Sequence, residues 1–190
     1  MRNGLQLEKI KEYVNSGFTR KIGRWVLHTM IVCLFAFVIV VYFGQGVKAT
    51  DRGMEPEIQK GDVVFINKMV YDISKPKRGD IIAFKPNGDD TSGSNIKRIV
   101  GLLGETIRIQ NGKVCINGKE LKESYGTAMI ENAGVAEEEI VLSGDEYFVL
   151  GDDRNDGEDS RMANIGNVKR DDIEGKVWFV LSWGKNFGFI

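Results

Sequence analysis

Apolar residues are distributed along this chain in two distinct patterns. From Trp25 to Phe43 they run without a charge (WVLHTMIVCLFAFVIVVYF), and after Gly46 they break into short runs separated by turn residues. The long run predicts a helix of roughly 28 Å, about the thickness of a bilayer's hydrocarbon core. Trp25 and Tyr42 stand at its ends, where amphipathic rings favour the membrane interface. A cleaved signal peptide fits poorly. The polar stretch ahead is long, the apolar run exceeds an ordinary signal-peptide core, and Gly44-Gln45-Gly46 makes a weak cleavage exit. A buried core helix is the other alternative, and 19 uncharged residues are long for a domain of this size. The run reads as an uncleaved transmembrane anchor over residues 25–43.

Ahead of the anchor lies a basic head, residues 1–24. Six basic against two acidic residues leave +4 there, and the whole-chain total of −1 then leaves −5 on the remainder. The positive-inside bias predicts a cytoplasmic head and an extracytoplasmic domain over residues 47–190. Within the head, Leu5, Leu7, Ile10 and Val14 are spaced like the apolar face of a short helix lying on a membrane. A poorly ordered tail is the competing reading.

Beyond Gly46 the pattern predicts strands. Gly61–Ile66, Arg78–Phe84, Ile96–Leu102, Glu146–Leu150 and Lys176–Trp183 are short apolar runs bounded by turn residues. Thr106–Ile109 and Val114–Ile116 flank Asn111-Gly112, a strong hairpin signal because both turn residues tolerate positive φ. Residues 85–95 read as a polar loop, and residues 122–140 as an exposed, partly mobile acidic excursion. The 23 glycines against 3 prolines suit a β domain rich in turns. The fold expected is a mostly antiparallel β domain behind one N-terminal transmembrane helix.

Several chemistries are excluded. A net charge of −1 argues against a nucleic-acid-binding protein. Cys33 lies in the apolar run and Cys115 in the polar remainder, so an intrachain disulfide is not expected. The single histidine, His28, is inside the apolar run, so Cys115 has no partner for a Cys/His site. The acidic Gly151–Ser160 run fails as a calcium loop, since Arg154 or Gly157 falls on a ligand position. No zinc-ligand spacing or phosphate-binding glycine loop is present, and neither metal nor cofactor is expected.

Four boxes remain: Gly53-Met54-Glu55-Pro56, Arg78–Phe84, Lys97–Glu105 and Gly151–Arg161. In order and spacing they resemble the type I signal peptidases, membrane-anchored serine/lysine peptidases that remove signal peptides after small residues. The resemblance runs from the anchor to about Lys176 and includes the Ile116-Asn117-Gly118-Lys119 turn. It implies a β-rich fold of the signal-peptidase type. It also implies a nucleophile at position 53 and a neutral lysine at Lys97 acting as general base in place of histidine. Met54, Pro56 and Glu57 would line the substrate groove. Arg98, Asp152, Arg154, Asp159, Ser160 and Arg161 would be structural, with Asp159 and Arg161 an ion pair.

This chain departs from the family where the chemistry happens. Position 53 is glycine, so no serine/lysine dyad forms there. Gly157 stands where a serine usually orients the lysine. Asp51 occupies a position beside the oxyanion, and Glu57 replaces a threonine. A carboxylate at either place favours a charged lysine and opposes oxyanion stabilisation. Leu103 for proline, Glu105 for aspartate and Asp153 for asparagine are milder changes. Lys97 itself reads either as a lysine paired with Asp51 or Glu57, or as a base left without its nucleophile. Ser92 and Ser94 are near Lys97 in sequence, but adjacency along a chain does not create attack geometry.

Two functions follow from the resemblance. One is a non-catalytic module binding extended precursors or signal peptides at a membrane, similar to the accessory factors of sortase-assembled pili in Gram-positive bacteria, with pilins and a sortase as partners. The other is a signal peptidase whose serine was recently lost or deliberately replaced.

Overall fold

The Asn111-Gly112 turn adopts the backbone its residues permit, with φ of 52° and 72°, and it closes the hairpin that the apolar alternation predicts. In the computed structural model, which describes residues 2–88, 93–126, 128–182 and 187–190, this hairpin belongs to the smaller of two antiparallel sheets. The strands are β1 (Gln45–Lys48), β2 (Val63–Asn67), β3 (Ile81–Phe84), β4 (Asn95–Gly101), β5 (Thr106–Gln110), β6 (Lys113–Ile116), β7 (Lys119–Glu120), β8 (Ile140–Val141), β9 (Glu146–Leu150), β10 (Val168–Lys169), β11 (Ile173–Leu181) and β12 (Phe187–Phe189). The larger sheet runs β1-β2-β11-β3-β4-β9-β10, with β12 added beside β11, and the smaller runs β7-β6-β5-β8. Among the described residues every strand pair is antiparallel, as expected.

Strand alternation divides the core. On β3, Ile81 and Ala83 join a cluster with Met54, Ile58, Val64 and Ile96, whereas Ile82 and Phe84 face a second cluster with Ile99, Tyr147 and Val149. A strand with apolar residues on both faces must lie inside the sheet, and β3 is buried at all four positions. A third cluster gathers Val100, Ile107, Val114, Leu142 and Phe148.

Residues 122–140 differ from the mobile excursion that their polarity predicts. Ile130 and Ala136 are buried in the third cluster, and the Ile130 N–H donates to the Gly112 carbonyl at 3.0 Å. Two apolar side chains in a polar stretch are enough to anchor it. Ser92 and Trp183, named above, lie outside the described residues.

The N-terminal unit is described by itself. One helix, α1 (Arg2–Phe43), continues through the change of composition at Trp25, so residues before the apolar run are helical and not a separate tail. Gly17–Val41, 25 residues, is long and apolar enough to cross a membrane. The side chains of Leu5, Leu7, Ile10 and Val14 lie outside the described set.

At Gly101 a Cβ would sit 2.7 to 2.8 Å from Ile107, Leu142 and Phe148 side-chain carbons. Gly101→Ala therefore overpacks the third cluster and is expected to cost about 1–3 kcal/mol. Thermal unfolding of the two proteins checks this, and an unchanged midpoint would contradict the packing.

Candidate functional site

The segment after β1 is held as a tight loop before any chemistry is considered. The Ala49 N–H donates to the Asp62 carbonyl at 2.8 Å, and the Gly61 N–H returns to the Ala49 carbonyl at 2.9 Å. Between these ties, Met54 and Ile58 are driven into the first core cluster, at 2% and 0% exposure. Met54 is thus a core anchor whose apolar side chain packs beneath the loop. The loop also docks on Gly151–Arg161: the Asp153 N–H donates to the Gly53 carbonyl at 3.0 Å. A Cβ at Gly151 would lie 2.4 Å from that carbonyl, so the approach requires glycine there.

Lys97 enters from β4, paired opposite Ile82 of β3, and its side chain is 0% exposed. Its Nζ donates to Asp51 Oδ2 at 2.7 Å, while the Gly53 N–H donates to Asp51 Oδ1 at 2.9 Å. One carboxylate therefore takes both donors. A Cβ built on Gly53 would stand 3.0 Å from Lys97 Nζ, 3.2 Å from the Asp156 carbonyl oxygen and 3.3 Å from Asp51 Oδ1. Gly157 adopts φ of 88°, and a Cβ on it would be 2.9 Å from the Gly53 Cα. The Gly53 and Gly157 backbones pack together, and Gly157 presents no side chain to Lys97.

Of the two carboxylates expected near Lys97, Asp51 is the one that pairs with it. Glu57 is exposed and lines a groove of about 450 Å³ with Pro56, Tyr125, Asp152 and Asp153. Ser94 is not turned to Lys97 either; its hydroxyl donates to Glu174.

Three guanidinium groups brace the surrounding loops. Arg98 forms a buried two-point pair with Asp152, at 2.8 Å and 2.5 Å, and also donates to the Gly79 carbonyl at 2.9 Å. Burial alone would lower the Arg98 pKa, but the hydrogen bonds and charge of Asp152, with Tyr125 and Glu57, outweigh it and raise the pKa above its ordinary value. Arg154 pairs with both oxygens of Glu123, at 2.6 Å and 2.8 Å, and donates to the Gly151 carbonyl at 3.0 Å. Arg161 pairs with both oxygens of Asp159, each at 2.8 Å, and donates to the Arg154 carbonyl at 2.6 Å. The Ser160 hydroxyl accepts from the Val149 N–H at 3.0 Å, so it serves the backbone of β9 rather than Lys97.

Sequence reasoning missed Glu123 and Tyr125. The Tyr125 ring lies 4.2 Å from the Arg98 guanidinium carbon, and Glu123 is Arg154's carboxylate partner. Only the buried arginines, each needing an anion, would have signalled them. Among the described residues no group of three His, Cys, Asp or Glu side chains is gathered for a metal ion.

The Lys97–Asp51 pair is asymmetric, because the lysine is fully buried and Asp51 is 36% exposed. Asp51→Ala strands a buried ammonium and is expected to cost about 3 kcal/mol. Lys97→Met leaves a carboxylate that water still reaches and is expected to cost under about 1 kcal/mol. In the double variant the Asp51→Ala penalty largely disappears. Denaturant titration of the four proteins measures the cycle; additive single effects would exclude the pairing.

The comparisons with known proteins agree with the boxes. The family model described as "Signal peptidase, peptidase S26" matches residues 22–183. Signal peptidase I P of Bacillus subtilis subsp. natto is 34% identical over 165 residues, covering 82% of this chain and 86% of that protein. Probable signal peptidase I-2 of Synechocystis is 34% identical over 161 residues, covering 82% of this chain and 71% of that protein. Signal peptidase I T of Bacillus subtilis is 32% identical over 166 residues, covering 82% and 83%. A crystal structure of a signal peptidase I from Enterococcus faecalis, 34% identical, covers 55% of this chain and 98% of that one with a TM-score of 0.44. With a family model spanning most of its length and relatives matched along most of theirs, the chain belongs to the signal peptidase family, peptidase S26.

Proposed function

We propose that this member of the family binds signal-peptide-bearing precursors at a membrane and does not cut them. One observation carries the proposal: Lys97 is bound to Asp51 at 2.7 Å beside Gly53, the residue that the proposal assigns to the nucleophile position. An ammonium engaged by a carboxylate has no lone pair to receive a proton, and Gly53 has no hydroxyl to give one. Losing one member of a nucleophile–base pair lowers turnover by about a million-fold in the best-studied serine peptidase case.

The binding half of the proposal rests on the fold. Among the described residues β1 ends the larger sheet and runs directly into the Gly53 loop. Such an edge receives an extended peptide by strand addition. The proposed clients are exported precursors, including pilin precursors that a sortase assembles in Gram-positive bacteria. The proposed orientation puts the basic head in the cytoplasm and the β domain outside, following the charge bias. Phe179 and Phe189 meet edge to face at 5.4 Å between centroids, with Phe189 80% exposed, and such rings suit the interfacial zone of a bilayer.

A second reading, an impaired signal peptidase, is favoured by the retained burial of Lys97 and by the intact Asp159–Arg161 pair. Incubation with a signal-bearing precursor separates the two. The chain as it stands and Gly53→Ser are both expected to leave the precursor whole, because the new Cβ meets Lys97 Nζ at 3.0 Å and Asp51 still holds the lysine. Retention of the uncut precursor on the immobilised full chain is expected alongside. Cleavage by the unaltered chain would overturn the non-catalytic reading, and cleavage restored by Gly53→Ser alone would favour the impaired peptidase.

A further inference from the structure

We propose that Lys97 Nζ and the Gly53 N–H form a receptor for a carboxylate, that the chain fills it with its own Asp51, and that the C-terminal carboxylate of an extended peptide displaces Asp51 from it. This rests on the non-catalytic reading above, since it needs a site that binds without cutting.

The geometry is that of a bound anion. Two donors from different parts of the fold, a β4 side chain and a loop backbone N–H, converge on the two oxygens of one carboxylate, at 2.7 Å and 2.9 Å. Charge-assisted bonds of this kind are the strong ones. Burial defines which partner is fixed. Lys97 is the closed floor at 0% exposure, and Asp51, at 36%, reaches it from the solvent side. A swing of Asp51 into water uncovers the ammonium at the cost of its bonds to Lys97 Nζ and the Gly53 N–H, and its 36% exposure leaves it a solvent side to turn to.

The charge of the floor selects what replaces Asp51. An ammonium withdrawn from water needs an anion, and a neutral group in its place leaves the desolvation of the ammonium uncompensated. The carbonyl of an internal peptide bond is neutral, so the middle of a precursor cannot exchange with Asp51. A chain end supplies both the charge and two oxygens. The direction of approach is set by β1, the edge strand that leads into the loop carrying Asp51 and Gly53. A peptide paired parallel to β1 along that edge brings its C-terminus to the receptor, whereas its side chains stand perpendicular to the strand. The receptor therefore distinguishes a peptide that ends at the site from one that continues through it.

The test is equilibrium binding to the full chain in lipid nanodiscs. The probes are a short valine- and threonine-rich peptide with a free C-terminal carboxylate, the same peptide with a C-terminal amide, and acetate alone. Asp51→Ala is expected to bind the acid-ended peptide at least about tenfold more tightly than the amide-ended one, and more tightly than the unaltered chain binds it, because no internal carboxylate competes. Asp51→Ala/Lys97→Met is expected to lose the preference. Should Asp51→Ala fail to fold, Asp51→Asn carries the same comparison with the side-chain shape kept. Equal binding of acid and amide forms overturns the receptor. Acetate binding as tightly as the acid-ended peptide overturns the peptide as its ligand. Neither result touches the non-catalytic reading, which falls only to cleavage of a precursor.

Discussion

The site is organised by one constraint: a lysine with no exposure needs an anion, and the chain provides it from the loop that carries Gly53. Asp51 meets that need and also caps the Gly53 N–H, so the two groups of greatest catalytic interest are spent on the same carboxylate. The neighbouring glycines belong to the same arrangement. Gly157 and Gly151 let the 151–161 loop close on Gly53, and the three arginine–carboxylate pairs hold that loop in place.

Asp51, Gly53 and Gly157 are in contact and constrain one another. A serine at 53 would press against the lysine's Nζ, and a serine at 157 would combine positive φ with a contact on the Gly53 backbone. Restoring one group leaves the others opposed to it.

Much of the fold was legible in the pattern of side chains. The apolar run from Trp25 marked the helix, and α1 carries a stretch, Gly17–Val41, long and apolar enough to cross a membrane. Hairpin β5–β6 was readable from Asn111-Gly112, and β9 from Glu146–Leu150 with its bounds unchanged. β1 was not, since Gln45–Lys48 carries a single buried apolar residue and owes its existence to pairing with β2. At the site, the sequence left open whether a carboxylate pairs with Lys97, and offered Asp51 and Glu57 as the candidates. Only the backbone path decides between Asp51, which curls back over Gly53, and Glu57, which falls past Pro56 on the groove. Glu123 was invisible because its role depends on the course of a loop whose anchors, Ile130 and Ala136, are few and far apart in sequence.

The central claim is that Lys97 is held by Asp51 in the membrane-embedded chain, and solid-state NMR in lipid bilayers measures that directly. Dipolar dephasing between the assigned Lys97 15Nζ resonance and the Asp51 13Cγ reports their separation. A separation under about 4 Å is the expected result, as for an ion pair in contact. Absence of dephasing at that range, with Asp51 turned to solvent, would contradict the account and leave Lys97 available as a base.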